Sequence, residues 1–213
     1  MGSRAEQKLN TRRALIEAAL RLSVERGFSS LSLRAVARQA NLAPTSFYRH
    51  FQDMDDLGLA LVDEVGMSLR QLIREARHRV NESGSRSVVR ASIQTFMEFT
   101  ERNSNLFRLL LGEGAGSTPA FRRAIAKEIQ RFTDDLAEDL VREAELKARP
   151  LAHPNYAAEA MVTVAFNLGA AAIDLSPAER TVVLERIIME VRLIMRGAEA
   201  IAADAAAPGA EPP

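Results

Sequence analysis

The chain has 213 residues, no cysteine, 28 Lys/Arg against 28 Asp/Glu, and 47% hydrophobic residues. That length holds one large domain or a small one joined to a larger one, and the composition is that of a soluble globular protein. The lack of cysteine excludes disulfides and thiolate metal sites.

The balanced charge hides an asymmetry. Residues 1–52 carry nine Lys/Arg and three Glu, 9 − 3 = +6, which leaves 19 basic and 25 acidic residues, or −6, for the remainder. A basic head on an acidic body points to a polyanion as the head's partner. The start, MGSRAEQKLNTRR, lacks the apolar segment of a signal peptide. The longest mostly apolar run, Met161 to Ile173, is too short to span a bilayer and contains Asn167. A cytoplasmic protein with no membrane association is expected.

No stretch alternates with a period of two, whereas helical periodicity is nearly continuous. The pattern predicts an all-α fold. A first helix is expected from about Thr11 to Arg26, with Leu15, Ala18, Ala19 and Leu22 on one face and Gly27 as its stop. A short helix from about Leu33 to Ala40 follows, capped by Ser32. After a turn at 41–43, Pro44 opens a third helix through Phe51. Asp53 starts a long helix reaching about Val80, and NESGS at 81–85 breaks it. Further helices are expected at about 86–102, 119–147, 155–174 and 177–203. These elements give a three-helix head over 1–52, a helical body over 53–204, and a disordered tail over 205–213.

The stretch NLAPTSFYRHF, residues 41–51, has two faces when wound as a helix. Phe47 and Phe51, four apart, can fill the head's core. Thr45, Ser46, Arg49 and His50 lie on the other face, with Tyr48 at the boundary, and such groups bond to base edges and phosphates. The helix-turn-helix spacing would set the second helix in a DNA major groove. Asn41 suits the positive φ that such a turn often needs.

The head resembles that of TetR-family transcriptional regulators. The shared features are Thr11-Arg12, Ala18-Ala19, Gly27-Phe28, Val36-Ala37, Ala40, Phe47-Tyr48 and His50-Phe51. The segments LAPTSFYRHF, LGLALVDEVG, TFMEFTERNSNLFRLLL and AEAMVTVAFNLGA are similar to the FabR and DesT type, repressors of unsaturated fatty-acid synthesis or desaturation. The resemblance implies base reading by Pro44, Thr45 and Ser46 and phosphate contact by Tyr48 and His50, with Arg49 and Ser32 as further DNA-binding candidates. Many members have Gly where Asn41 stands, and a Lys where this chain has Met54. The basic arm of Arg4, Lys8, Arg12 and Arg13 is expected to compensate for that Lys. The implied partner is double-stranded DNA with a palindromic operator, bound by a homodimer.

In the last helix Leu184, Ile187, Val191, Ile194, Ala198 and Ile201 recur at steps of three and four, with Ile188 and Met195 beside them. That face could serve both the core and a second subunit, and the small residues 168–172 (LGAAA) would let helices approach closely. An aromatic and methionine set, Phe96, Met97, Phe99, Phe107, Phe121, Phe132, Met161 and Phe166, is either ordinary core or the lining of an apolar tunnel. The resemblance implies a long-chain acyl-CoA in such a tunnel. Arg102, Arg108, Arg122 and Arg123, around the GEGAGS loop, are the candidates for its head group.

Other classes are weaker. The glycines at 112, 114 and 116 do not fit GxGxxG and lack a βαβ context. His78 and His153 lack partners at metal spacing, and no nucleophile–base pair suggests catalysis. A regulator of another pathway with a different hydrophobic ligand, or a lipid-binding protein with no DNA function, remains as the alternative reading.

Overall fold

The computed structural model describes residues 4–26, 28–83, 88–102, 104, 107 and 119–206. Among these residues the chain is helical with no strand. The helices are α1 (Arg4–Arg26), α2 (Leu33–Gln39), α3 (Pro44–Phe47), α4 (Met54–Ser83), α5 (Val88–Arg102), α6 (Pro119–Leu146), α7 (Pro154–Ala171) and α8 (Pro177–Ala206), with a 3-10 turn at Phe28–Ser30. The chain divides into two compact units, one of residues 1–68 and 103–128, the other of 69–102 and 129–213.

In the first unit α1 packs on α2, and α2 on α3. Leu15, Ala18, Ala19, Val36, Ala37 and Phe47 are fully buried, and Phe51 nearly so. Each phenylalanine buried in this way contributes about 2–3 kcal/mol of hydrophobic stabilisation. Leu22, expected beside them, is only half-buried, as is Ala40. α1 starts seven residues before the expected Thr11, because Arg4 to Asn10 is rich in helix formers with no Gly or Pro. The basic arm is therefore helical. The expected stop at Gly27 lies outside the described residues.

Local chemistry sets the ends of the short helices. The Ser32 hydroxyl accepts from the Ala35 amide at 3.2 Å and caps α2. At the other end Leu42 N–H donates to the Ala37 carbonyl (2.9 Å) and Asn41 N–H to that of Arg38 (3.0 Å). This is a Schellman stop, with Asn41 at φ 56° as the residues suggested. α3 is shorter than expected. It ends at Phe47, and the chain tightens into turns in which His50 N–H donates to the Phe47 carbonyl. The Phe51 amide also reaches that carbonyl (3.0 Å), which keeps the two phenylalanines on one side. Asp53 opens α4 by accepting from the Asp56 amide (2.8 Å).

In the second unit α7 and α8 pack together and α5 packs on both. Gly169 is required here. A Cβ on it would lie 2.6 Å from the Phe96 ring, so the helices meet at a distance that no other residue allows without displacement. The Gly169 small-residue site thus serves packing within the chain. Ion pairs also link α5 to α8: Arg90 with Glu185 through two bonds (2.6 and 2.7 Å), and Glu101 with the half-buried Arg180 (2.8 Å). α8 opens with a capping box. Ser176 N–H and its hydroxyl both donate to Glu179, and the Glu179 amide reaches back to the hydroxyl. These bonds favour the ionised form and lower the Glu179 pKa.

Two further boundaries differ from the sequence expectation. α4 runs to Ser83, so NESGS does not break the chain at 81. α8 runs to Ala206, so positions 205 and 206 of the expected tail are helical, while 207–213 lie outside the described residues. No helix among the described residues is long and apolar enough to cross a membrane.

Candidate functional site

The surface around α3 is built on a filled core. The Phe47 ring sits 5.6 Å from Phe51 and 6.0 Å from Tyr48, edge-on to the latter. Phe47 is fully buried, whereas the next residue, Tyr48, is 66% exposed. Pro44, Thr45 and Arg49 are exposed too, and Ser46 and His50 half-exposed. All six residues picked from this stretch are thus at least partly exposed. Ser32 is exposed at the start of α2, its hydroxyl already engaged as a cap.

α1 supports this surface through Arg12. Its guanidinium lies 4.4 Å over the Phe51 ring and donates to the His50 carbonyl at 3.2 Å. Arg12 thus clamps the segment after α3, while Lys8, one turn earlier on α1, is exposed. The His50 imidazole has its Nδ1 buried without a hydrogen-bond partner. Burial lowers the His50 pKa below its ordinary 6.5, and the charges of Lys8, Arg12 and Arg49 lower it further. The cations Lys8, Arg12 and Arg49 that act on His50 have the sign of charge that phosphate contacts use.

The second unit contains an apolar cavity of about 360 Å³ between parts of α4, α5, α6, α7 and α8. Phe96, Phe132, Met161 and Phe166 border it, with Ile93 and Leu140. Phe166 joins the rings, at 5.3 Å from Phe96 and 5.7 Å from Phe132. Charged groups from α4 and α6, among them Arg77, Asp139, Arg142 and Lys147, border the same cavity. The size falls at the small end of ligand pockets. Among the described residues no group of His, Asp and Glu has the arrangement of a metal site.

The model of bacterial regulatory proteins of the tetR family matches residues 15–61, and that of the tetracyclin repressor-like C-terminal domain matches residues 85–197, over half the chain. The chain belongs to the TetR family. Solved structures agree on the fold. E. coli NemR in its reduced form is 19% identical, with a TM-score of 0.70 over 87% of this chain and 98% of NemR. A transcriptional regulator from Aquifex aeolicus is 17% identical, at 0.67 over 86% and 99%. The fatty acid degradation regulator FadR from Bacillus halodurans is 14% identical, at 0.66 over 87% and 94%.

As a TetR-family protein the chain is a DNA-binding transcriptional regulator, and most of the cavity lining falls within the residues that the C-terminal domain model matches. The expected lining residues separate. Phe96, Phe132, Met161 and Phe166 border the cavity, whereas Met97 and Phe99 are buried away from it. Phe107 is buried in the first unit. The Phe121 side chain and the whole of Arg108 lie outside the described residues. The cations also differ from those picked. Arg102 is exposed and pairs with Glu98 on its own helix (3.4 Å), and Arg122 and Arg123 are exposed on the part of α6 that belongs to the first unit. None of these three borders the cavity. Arg74, Arg77, Arg142 and Lys147 do, and sequence reasoning missed them. The available signal was Arg70, Arg74 and Arg77 on α4 at helical steps from Asp135 and Asp139 on α6, which becomes legible only once the two helices are paired.

Proposed function

We propose that this TetR-family protein is a homodimeric repressor of fatty-acid synthesis or desaturation genes, and that an acyl chain in the body cavity modulates its DNA affinity. The carrying observation is the phenylalanine- and methionine-bordered cavity in a chain whose other unit holds a helix-turn-helix. The resemblance to the FabR and DesT type favours long-chain acyl-CoA as the effector, and the shared fold of a fatty acid degradation regulator is compatible with it. In the head, Pro44, Thr45 and Ser46 read bases, while Tyr48, Arg49, His50 and the backbone near Ser32 hold phosphates. A ligand acts only through different affinities for two states. Acyl-chain shape would bias the body helices and, through the continuous helix α4, the spacing of two recognition helices about 34 Å apart.

The dimer surface we assign to α7 and α8 differs from the stripe that the sequence suggested. Ile187, Ile188, Val191 and Ala198 are buried in their own chain. On the opposite face of α8, Val182, Met189 and Leu193 are exposed at helical steps, and Tyr156 is exposed on α7. These would form the isologous contact of a two-fold pair, which sedimentation at micromolar concentration tests.

Operator binding in the presence of palmitoyl-CoA and of oleoyl-CoA tests the effector. The two should shift the DNA midpoint by different amounts. Equal midpoints with and without both ligands would reject acyl-CoA as effector. Y48A and R49A should each weaken operator binding about tenfold while leaving acyl-CoA binding unchanged; a lipid-binding protein without DNA function would show no operator preference at all.

A further inference from the structure

The body cavity is mostly apolar, and one group among the charges that border it is unusual. Arg77 projects from α4 with its side chain only 16% exposed and pairs with Asp139 Oδ2 of α6. The other oxygen, Oδ1, accepts from Arg142 at 3.2 Å. One carboxylate therefore serves two guanidiniums, leaving a net charge of 2 − 1 = +1. All three side chains border the cavity. Of the other bordering charges, Lys147 pairs with Glu143 and Arg74 with Asp135. Farther along the same helices Arg74 and Arg70 both approach Asp135, at 3.1 and 3.5 Å. Burial lowers the Arg77 pKa, with Asp139 opposing, so this cation depends on its counter-ion.

We propose that the cavity takes an amphiphile with an anionic head, which replaces Asp139 on Arg77 while its tail lies against Phe96, Phe132 and Phe166. Asp139 then turns to Arg142, which it already touches. The exchange removes an α4–α6 ion pair and supplies the negative charge that the triad lacks. This rests on the reading of the cavity as the effector site and adds the chemistry of the head and the residue that selects it. A cavity of about 360 Å³ takes a hydrocarbon tail with a small head, so in an acyl-CoA the nucleotide would lie outside.

Isothermal titration calorimetry of the full chain with decanoate, decanol and decanoyl-CoA tests this. Wild type should bind decanoate about tenfold or more tighter than decanol, as a charge-assisted bond to Arg77 requires. R77M should erase that preference and leave decanol affinity within about threefold. D139N should tighten decanoate by removing the internal competitor. R142Q alters an exposed side chain and keeps the fold; it should weaken decanoate on the order of threefold, because Asp139 then has only Arg77. R77M should leave decanoyl-CoA within about threefold, because its thioester is uncharged and its phosphates lie outside the cavity; loss of decanoyl-CoA with decanoate unchanged would overturn the exchange. Equal wild-type affinity for decanol and decanoate would overturn it while leaving the cavity as a ligand site. No binding of any of the three would overturn the cavity reading itself.

Discussion

The head and the body cavity both place arginines beside phenylalanines, with opposite outcomes. In the head the space is filled: Phe47 and Phe51 are 0% and 2% exposed, Arg12 covers Phe51, and Tyr48 and Arg49 face solvent. In the body Phe96, Phe132 and Phe166 surround open space, and Arg77 is inside, held by Asp139. Outward charge on a rigid, filled core suits an extended polyanion, which meets many cations at once. An inward charge beside unfilled apolar space suits one small molecule, because burial makes a single misplaced charge costly.

Emptying the filled side should have the largest effect. F47A removes a fully buried ring and should cost about 3–5 kcal/mol. Hydrogen exchange should rise across α1 to α3 while α7 and α8 stay protected. Equal loss of protection in both would mean that the two units unfold together and that the contrast has no energetic meaning. Closing the open side comes next. G169V puts branched carbons where a Cβ already lies 2.6 Å from the Phe96 ring. It should cost about 1–3 kcal/mol and weaken decanol and decanoate alike, since it alters space and not charge. An unchanged melting temperature would show that the ring moves aside freely.

Removing an outward charge should be gentler. R49A should leave thermal stability within about 0.5 kcal/mol and lower the salt slope of operator binding by about one. An unchanged slope would remove Arg49 from the phosphate contacts. The smallest effect concerns His50. Its folded pKa is depressed, so the unfolded chain binds the proton more tightly. His50 therefore favours folding above its ordinary value of 6.5, and that contribution is lost as pH falls through the folded value. Between pH 7.5 and pH 5.5 wild type should lose more melting temperature than H50Q; parallel curves would assign the acid sensitivity to other groups.

Local signals were legible where one residue answers a local need. Ser32 satisfies a free helix amide, Asn41 takes the positive φ of a stop, and a phenylalanine four residues from another stays on its side even after α3 ends. The same reasoning failed at the cavity because an aromatic on a periodic face has the same pattern whether it fills a core or borders a void. Phe99 and Phe96 look alike in the sequence, yet only Phe96 borders the space. Glycine-loop proximity drew attention to Arg102, Arg122 and Arg123, whereas the cations at the cavity come from helices α4 and α6, about sixty residues apart in sequence.

By itself the sequence determined the all-helical class, the helix-turn-helix, the basic charge of the head and the family resemblance, because periodicity, caps and short motifs act over a few residues. The tertiary structure decided which aromatics border open space, that Gly169 is needed against Phe96, that α8 has a second apolar face, and that Arg77 and Arg142 share Asp139. Those properties arise from the pairing of distant helices, and no local pattern encodes the distance between two side chains that only packing brings together.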